Sequence, residues 1–384
     1  MYFDFNTANR ILFGEGALQK IGTIAGQFGN KAFVVAGGDP KNIETLTEKL
    51  ASADIEFVTF KTAGEPTTGL VEEAVQLAKK NGCQFVIGFG GGSAIDMAKV
   101  VAVMLTNPGK LLDYLEVVGK NQAINLPAAP MIAVPTTSGT GSEVTRNAVL
   151  AVPERKVKVS MRSAYMLPRV ALVDPELTYA LPPLVTANTG MDALTQVLEP
   201  YVSQKANSMV DMFCREGLKR AAQALEKAYR NGSDKQARAG MSWASLLGGL
   251  SLANAGLGAV HGLAGPIGGM FHAAHGAICA SLLTPVTAMN VKALAERVPD
   301  APALGRYQEI ARILTGTDGA SIEDGIAWLR SLKETLEIPG LSEHGIAEAS
   351  FSEIIDKALV SSSMRGNPIQ LQRQELEIIL KEAL

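Results

Sequence analysis

Three of the four histidines in this 384-residue chain, His261, His272 and His275, fall in one stretch, Ala239 to Val291, that contains no Asp, Glu, Lys or Arg. A lone buried histidine is usually a hydrogen-bonded core residue. Two or three in an uncharged, helix-rich core, with a carboxylate to balance a cation, are the donor set of a divalent metal. Upstream, Asp192 and Gln196 stand four residues apart in Gly190-Met191-Asp192-Ala193-Leu194-Thr195-Gln196. A helix places both on one face. Spacing alone leaves core histidines and a metal site both open.

A second group carries different chemistry. Phe85-Val86-Ile87 runs into Gly88-Phe89-Gly90-Gly91-Gly92-Ser93 and then into a helix-like stretch with Asp96 and Lys99. Glycines let the backbone approach a ligand, and the free N–H groups of a helix start attract an anion, most often phosphate. Ser93 is expected to cap that helix. The loop Pro135-Thr136-Thr137-Ser138-Gly139-Thr140-Gly141-Ser142-Glu143 follows another apolar run. Ligands of open α/β sheets bind beyond the carboxyl ends of strands, so this loop reads as a second wall of the same nucleotide site. Asp39, in Ala36-Gly37-Gly38-Asp39-Pro40, has two readings. It either accepts hydrogen bonds from an adenosine ribose or is a turn Asp before proline. With Gly37, Gly38 and Lys41 beside it, NAD and NADP both stay open.

The elements that must position these residues alternate in the first half. Strand-like runs at 32–35, 57–60, 85–87, 131–134 and 171–174 are separated by helix-like runs near 43–50, 71–78 and 97–104. Such alternation predicts an α/β domain with a mainly parallel sheet covered on both faces. Residues from about 146 to 160 read as a polar-edged hairpin. After Pro182-Pro183 the pattern is helical almost throughout, with breaks expected at Gly232, Pro285, Pro299 and Pro339. The expected domains are residues 1–182, a dinucleotide-binding α/β domain, and 183–384, an all-α metal-binding and catalytic domain.

Composition removes other classes. A net charge of −3 and 5% aromatic residues do not make a nucleic-acid surface. The uncharged stretch is too rich in Gly, and too interrupted by Asn254, Pro266 and its histidines, for a membrane span. Cys83, Cys214 and Cys279 lie far apart among apolar neighbours. That suits reduced thiols in a cytoplasmic protein, not a disulfide framework or a Cys-ligated zinc site. The start, Met1-Tyr2-Phe3-Asp4-Phe5, carries no secretory signal pattern.

Taken together, the motifs resemble those of the iron-containing (group III) alcohol dehydrogenases. The likeness begins at Ile11-Leu12-Phe13-Gly14-Glu15-Gly16 and continues through Gly90-Gly91-Gly92-Ser93-Ala94-Ile95-Asp96-Met97-Ala98-Lys99 and the loop from Pro135 to Thr145. It includes Leu167-Pro168, Asp174-Pro175-Glu176-Leu177-Thr178, Gly190 to Leu194, and Asn254 to Gly262. The resemblance implies a dehydroquinate synthase-like architecture with a cleft between a nucleotide-binding domain and a helical domain. It implies reversible hydride transfer between NAD or NADP and a small alcohol or aldehyde. Among the cofactor contacts it suggests Asp39, Gly90, Gly91, Gly92, Ser93, Asp96, Thr136, Thr137, Thr140, Ser142, Lys158 and Leu177.

In that family an Asp, a His one turn later and two further His hold the metal. Asp192, His261 and His275 match three of these positions, Gln196 stands at the second, and a further family histidine is Gly265 here. Gln196 can offer its amide oxygen, a neutral donor. Without it, two His and one carboxylate can still hold Fe(II), and zinc suits the same donors. The metal would act as a Lewis acid on the substrate oxygen. With Gly265 unable to relay a proton, His272 takes that role beside His275 and Asp192. The family's members commonly associate, so a homo-oligomer is expected. Two rival readings accompany this one: a lyase of the dehydroquinate synthase type, and a nucleotide-binding protein whose metal site has decayed.

Overall fold

The five apolar runs in the first half all become strands of one parallel sheet. The computed structural model describes residues 3–62, 64–155, 157–271 and 273–384. Its strands are β1 (Arg10–Phe13), β2 (Lys31–Ala36), β3 (Glu56–Lys61), β4 (Phe85–Gly90), β5 (Met131–Pro135), β6 (Asn147–Val152), β7 (Val157–Arg162) and β8 (Val170–Val173). Six of them form a sheet in the order β1-β8-β5-β4-β2-β3, every neighbour parallel. The central strands β4 and β5 are buried at every position, as expected where helices cover both faces.

Alternation within these strands feeds two cores. Phe33, Val35, Val86 and Ala133 pack on one face, and Val34, Phe85, Ile87, Phe89 and Ile132 on the other. The helices Pro40–Ala51, Thr68–Lys80 and Gly92–Thr106 cover the sheet. β6 and β7 pair antiparallel, with Leu150 opposite Val159, as the expected hairpin. β1 has no counterpart among the strand expectations. It is a four-residue edge strand paired only with β8, too short to show a period. Asp174 anchors the same edge, its carboxylate accepting from the backbone N–H groups of Gly16, Leu18 and Glu176.

The chain divides into two units. One comprises Phe5–Thr137 and Gly141–Ala180; the other holds Leu181–Leu384 with Ser138–Thr140. The second is helical, and its principal helices include Pro183–Val202, Ser208–Arg230, Lys235–Ala255, Ala259–Met270 and His275–Arg297. Gly232, Pro299 and Pro339 fall between helices as expected, but Pro285 does not break the chain: it lies inside His275–Arg297. A proline in a helix interior costs about 3 kcal/mol. This helix forms much of the unit's core from Ile278 to Leu294, and that burial outweighs the cost. The same helix is long and apolar enough to cross a membrane, yet 83% of its most apolar window is buried inside the unit. It is a core helix by packing.

Gly88, in the middle of β4, shows how closely helix and sheet approach. A Cβ there would stand 2.8 Å from Ala98 Cβ, 3.0 Å from Met131 Cε and 3.2 Å from Ile95 Cα. Gly88→Ala is expected to destabilise the protein by about 1–3 kcal/mol through overpacking. Urea unfolding should show this as a lower midpoint at unchanged slope, and an unchanged midpoint would show that the helix yields freely.

Candidate functional site

The helix Pro183–Val202 carries Asp192, Gln196 and Glu199 at i, i+4 and i+7, so all three share one face. All three are buried, as is His261 on the helix Ala259–Met270. His275 opens the helix His275–Arg297, and Cys279 follows one turn later on the same face. The four atoms His261 Nε2, Asp192 Oδ1, His275 Nε2 and Cys279 Sγ converge. His261 Nε2 lies 3.3 Å from Asp192 Oδ1, and His275 Nε2 lies 3.9 Å from the same oxygen. Cys279 Sγ is 3.6 Å from His275 Nε2 and 4.0 Å from His261 Nε2.

Glu199 decides what these atoms can bind. Its Oε2 lies 2.7 Å from His261 Nδ1, and its Oε1 accepts from the backbone N–H of Val260 at 2.7 Å. An ionised carboxylate can only accept, so Nδ1 carries a proton, and whenever the ring is neutral its Nε2 lone pair faces Asp192. Asp192 Oδ1 and Gln196 Oε1 are both buried with no hydrogen-bond partner among the described residues. Buried acceptors left without partners are costly unless a cation satisfies them.

Without an ion, the cluster favours opposite charges on its members. Burial opposes charge on His261, yet the neighbouring Cys279, Asp192 and Glu199 raise its pKa well above the ordinary value. Burial likewise opposes a charged Cys279, but the two imidazoles lower its pKa. Asp192 keeps a lowered pKa against its burial, through His261, His275 and the Gln196 amide. The donors present therefore fit a divalent cation: carboxylate, two imidazoles and a thiol, with the Gln196 amide oxygen alongside. All three cysteines are free, as expected, and Cys279 stands beside the two histidines, a placement the sequence reading missed. Its signal was the four-residue spacing from His275. Glu199 was also missed, and its signal was the seven-residue spacing from Asp192. His272 lies outside the described residues.

In the α/β unit, three adjacent strands deliver the other candidate residues. Asp39 follows β2, the glycine turn follows β4, and Thr136 and Thr137 follow β5. Ser93 does not cap the helix Gly92–Thr106. The cap is Gly91, in extended conformation and without a side-chain hydrogen bond, while Ser93 lies in the first turn. The reason is local: Gly90 has φ 149°, and a Cβ there would meet Ala94 Cβ at 2.8 Å, so the helix begins at once. The uncapped start leaves backbone N–H groups to a ligand. Thr136 donates its N–H to Gly90 O at 2.9 Å, and a Cβ on Gly91 would stand 3.4 Å from Thr137 Oγ1. Turn and loop thus form one wall.

The remaining candidates are more dispersed. Asp39 caps its helix by accepting from Lys41 N at 3.0 Å. Lys158 on β7 pairs with Glu65. Leu177 is buried, its carbonyl accepting from Asn42 Nδ2 at 3.1 Å. Thr140 groups with the helical unit, where its neighbour Ser138 lies 3.0 Å, Oγ to Oγ, from Ser242. Asp96 and Ser142 bond to each other, and Asp96 also accepts from Val149 N at 2.8 Å. At their centre is Lys99, wholly buried, whose Nζ donates to Ser142 Oγ, Thr145 Oγ1 and Asn147 O, each at 2.8 Å. Lys99 thereby ties the helix after the glycine turn to the loop and the hairpin.

These features have close parallels. Residues 8–175 match the model of the iron-containing alcohol dehydrogenases, and residues 186–384 match that family's C-terminal model. The chain belongs to the iron-containing alcohol dehydrogenase family. It is an oxidoreductase of the alcohol dehydrogenase class, not a lyase. Alcohol dehydrogenase 4 of Saccharomyces cerevisiae is 34% identical over 97% of this chain and 96% of its own length. The NAD-dependent methanol dehydrogenase of Bacillus methanolicus is 33% identical over 97% of each chain. Among solved structures, a 1,3-propanediol oxidoreductase superposes with a TM-score of 0.93 at 31% identity, covering 100% of both chains.

Burial pushes Glu143 up to about 7 and Lys99 down to about 8. The folded state therefore binds an extra proton at Glu143 between its ordinary 4.5 and about 7, so stability falls as pH rises through that window. At Lys99 the unfolded state holds the extra proton between about 8 and 10.5, so stability rises with pH there. Glu143→Gln is expected to flatten the first slope in urea midpoints measured across that range. An unaltered slope would show that Glu143 titrates normally.

Proposed function

We propose that the chain interconverts a small primary alcohol and its aldehyde with NAD or NADP as hydride acceptor and donor. A divalent cation would be held by Asp192, His261 and His275, with Gln196 beside it. One observation carries this reading: potential ligand atoms from three helices converge, and Asp192 Oδ1 among them has no hydrogen-bond partner among the described residues. When bound, the ion supplies Lewis acidity to the oxygen on the reacting carbon, and the nicotinamide supplies the place where the hydride arrives or departs.

The chain's own residues do the rest. Glu199 holds the His261 proton on Nδ1, which keeps Nε2 a donor to the ion. The helix start at Gly91, Gly92 and Ser93 receives the pyrophosphate, with Gly90 allowing the close turn. Thr136, Thr137 and Thr140 border the cofactor with hydroxyls. Asp39, at the end of β2, is placed for the adenosine ribose, and its present bond to Lys41 N leaves its second carboxylate oxygen for that contact. Asp96 and Ser142 act through Lys99, holding the loop, while Lys158 and Leu177 complete the cofactor's surroundings. His272 is the proposed proton relay toward solvent. The uncharged stretch around the histidines favours a small neutral substrate. Three free cysteines accord with a cytoplasmic protein, and homo-oligomers are the expected assembly.

The test is an anaerobic assay of metal-loaded protein against short aldehydes with NADH and NADPH. Turnover is expected with at least one pair. His275→Ala should lose both bound metal and rate, by more than the ~10–100-fold typical of outer partners of a metal. Full activity in that variant, or no turnover with any aldehyde, would overturn the reading.

A further inference from the structure

We infer that Cys279, as a thiolate, is the fourth protein ligand of the metal in place of Gln196, and that the site consequently holds Zn(II) or Co(II) in preference to Fe(II). The inference rests on the metal site proposed above and concerns which atoms complete it.

The sulfur occupies a ligand's place. His275 and Cys279 stand one helical turn apart, so backbone geometry alone sends both toward Asp192 and His261. One ligand atom from each of the four residues lies within 4.8 Å of every other. Bonds of about 2.0–2.3 Å to a tetrahedral ion put neighbouring N, O and S donors about 3.3–3.6 Å apart. The 3.3 Å from His261 Nε2 to Asp192 Oδ1 and the 3.6 Å from His275 Nε2 to Cys279 Sγ are such edges. Two further edges, at 3.9 and 4.0 Å, need a closure of a few tenths of an ångström, and the last two, His261 to His275 and Asp192 to Cys279, lie within 4.8 Å. Independently of the sulfur, Asp192 Oδ1 is nine-tenths buried and unpartnered at the same point.

Gln196 competes poorly. Its amide is neutral, and it supports the ionised Asp192 carboxylate. A thiolate is both anionic and soft, and soft donors favour zinc and cobalt over ferrous iron, which the general affinity order already places below them. On coordination the S–H proton leaves to solvent, the sulfur lone pair forms the new bond, and nothing is oxidised. Zinc with four protein ligands can expand to five-coordinate for a substrate oxygen.

The experiment uses the full chain stripped of metal and titrated with Co(II) under anaerobic conditions. Visible d–d absorption reports that the ion is bound, and a near-ultraviolet thiolate-to-cobalt charge-transfer band reports sulfur on the ion. Wild type and Gln196→Ala should show both signals, and Cys279→Ala should lose the charge-transfer band. Cys279→Ser, nearly isosteric, replaces the alanine variant if that one misfolds. In chelator competition, Zn(II) affinity should fall by more than ~100-fold on loss of the thiol, and Fe(II) should bind wild type more weakly than Zn(II). Visible absorption without the charge-transfer band in wild type, or the same band in the Cys279 variants, would overturn the inference and leave the metal site standing. Failure of wild type to bind any of the three ions would overturn both.

Discussion

One hydrogen bond, from His261 Nδ1 to Glu199 Oε2, organises the helical unit's chemistry. It fixes which ring nitrogen is protonated and so which one can donate to a ligand. Glu199 is itself held, because its other oxygen accepts from Val260 N at the start of the helix that carries His261. A carboxylate at a helix N-terminus is also favoured by the aligned peptide dipoles. The same residue thus caps the helix and sets the tautomer. Everything that converges on Asp192 follows from that orientation. With Nε2 also protonated, His261 can donate to Asp192, and a bound cation would take the place of that proton.

The α/β unit uses a comparable arrangement with opposite sign. Lys99 is a buried cation surrounded by oxygen acceptors on the loop and the hairpin. It adds to Asp96, which reaches Val149 N from the same helix. The helix after the glycine turn is therefore clamped at its middle, and its uncapped start is presented without side chains of its own. A site that binds phosphate through backbone N–H groups needs this, because a helix start that drifted would lose several contacts together.

Legibility in the sequence followed the length of each pattern. Buried strands such as Met131–Pro135 and the helix at Thr68–Lys80 announced themselves because apolar runs and periodicity span several residues. The edge strand Arg10–Phe13 did not, since four residues cannot show a period and its pairing with β8 is long-range. Pro285 misled because local propensity favours a break, whereas burial of the whole helix overrides it. The histidines were legible from their rarity. Cys279 was hidden because a thiol was weighed only against other thiols, and Glu199 because a lone glutamate in a helix carries no motif of its own. Both stand at helical spacing from residues already under suspicion. Ser93 reads as a cap by residue type, and only the tight packing at Gly90 moves the helix start ahead of it.

The uncharged, Gly- and Ala-rich composition of residues 239–291 is the physical condition for the site rather than a by-product of burial. Ligands from three helices can meet within 4.8 Å only if the backbones approach closely. Gly276, next to His275, shows the constraint: a Cβ there would stand 2.1 Å from Asn188 O on the helix that carries Asp192. At Gly258 a Cβ would stand 2.9 Å from Glu199 Oε1, in the path of the carboxylate that orients His261. Larger side chains at either position would push His275 or His261 away from Asp192. Charged ones would supply the buried carboxylates with a competing partner. The same small residues that make this segment resemble a membrane helix are what allow a dense cluster of donors to exist in it.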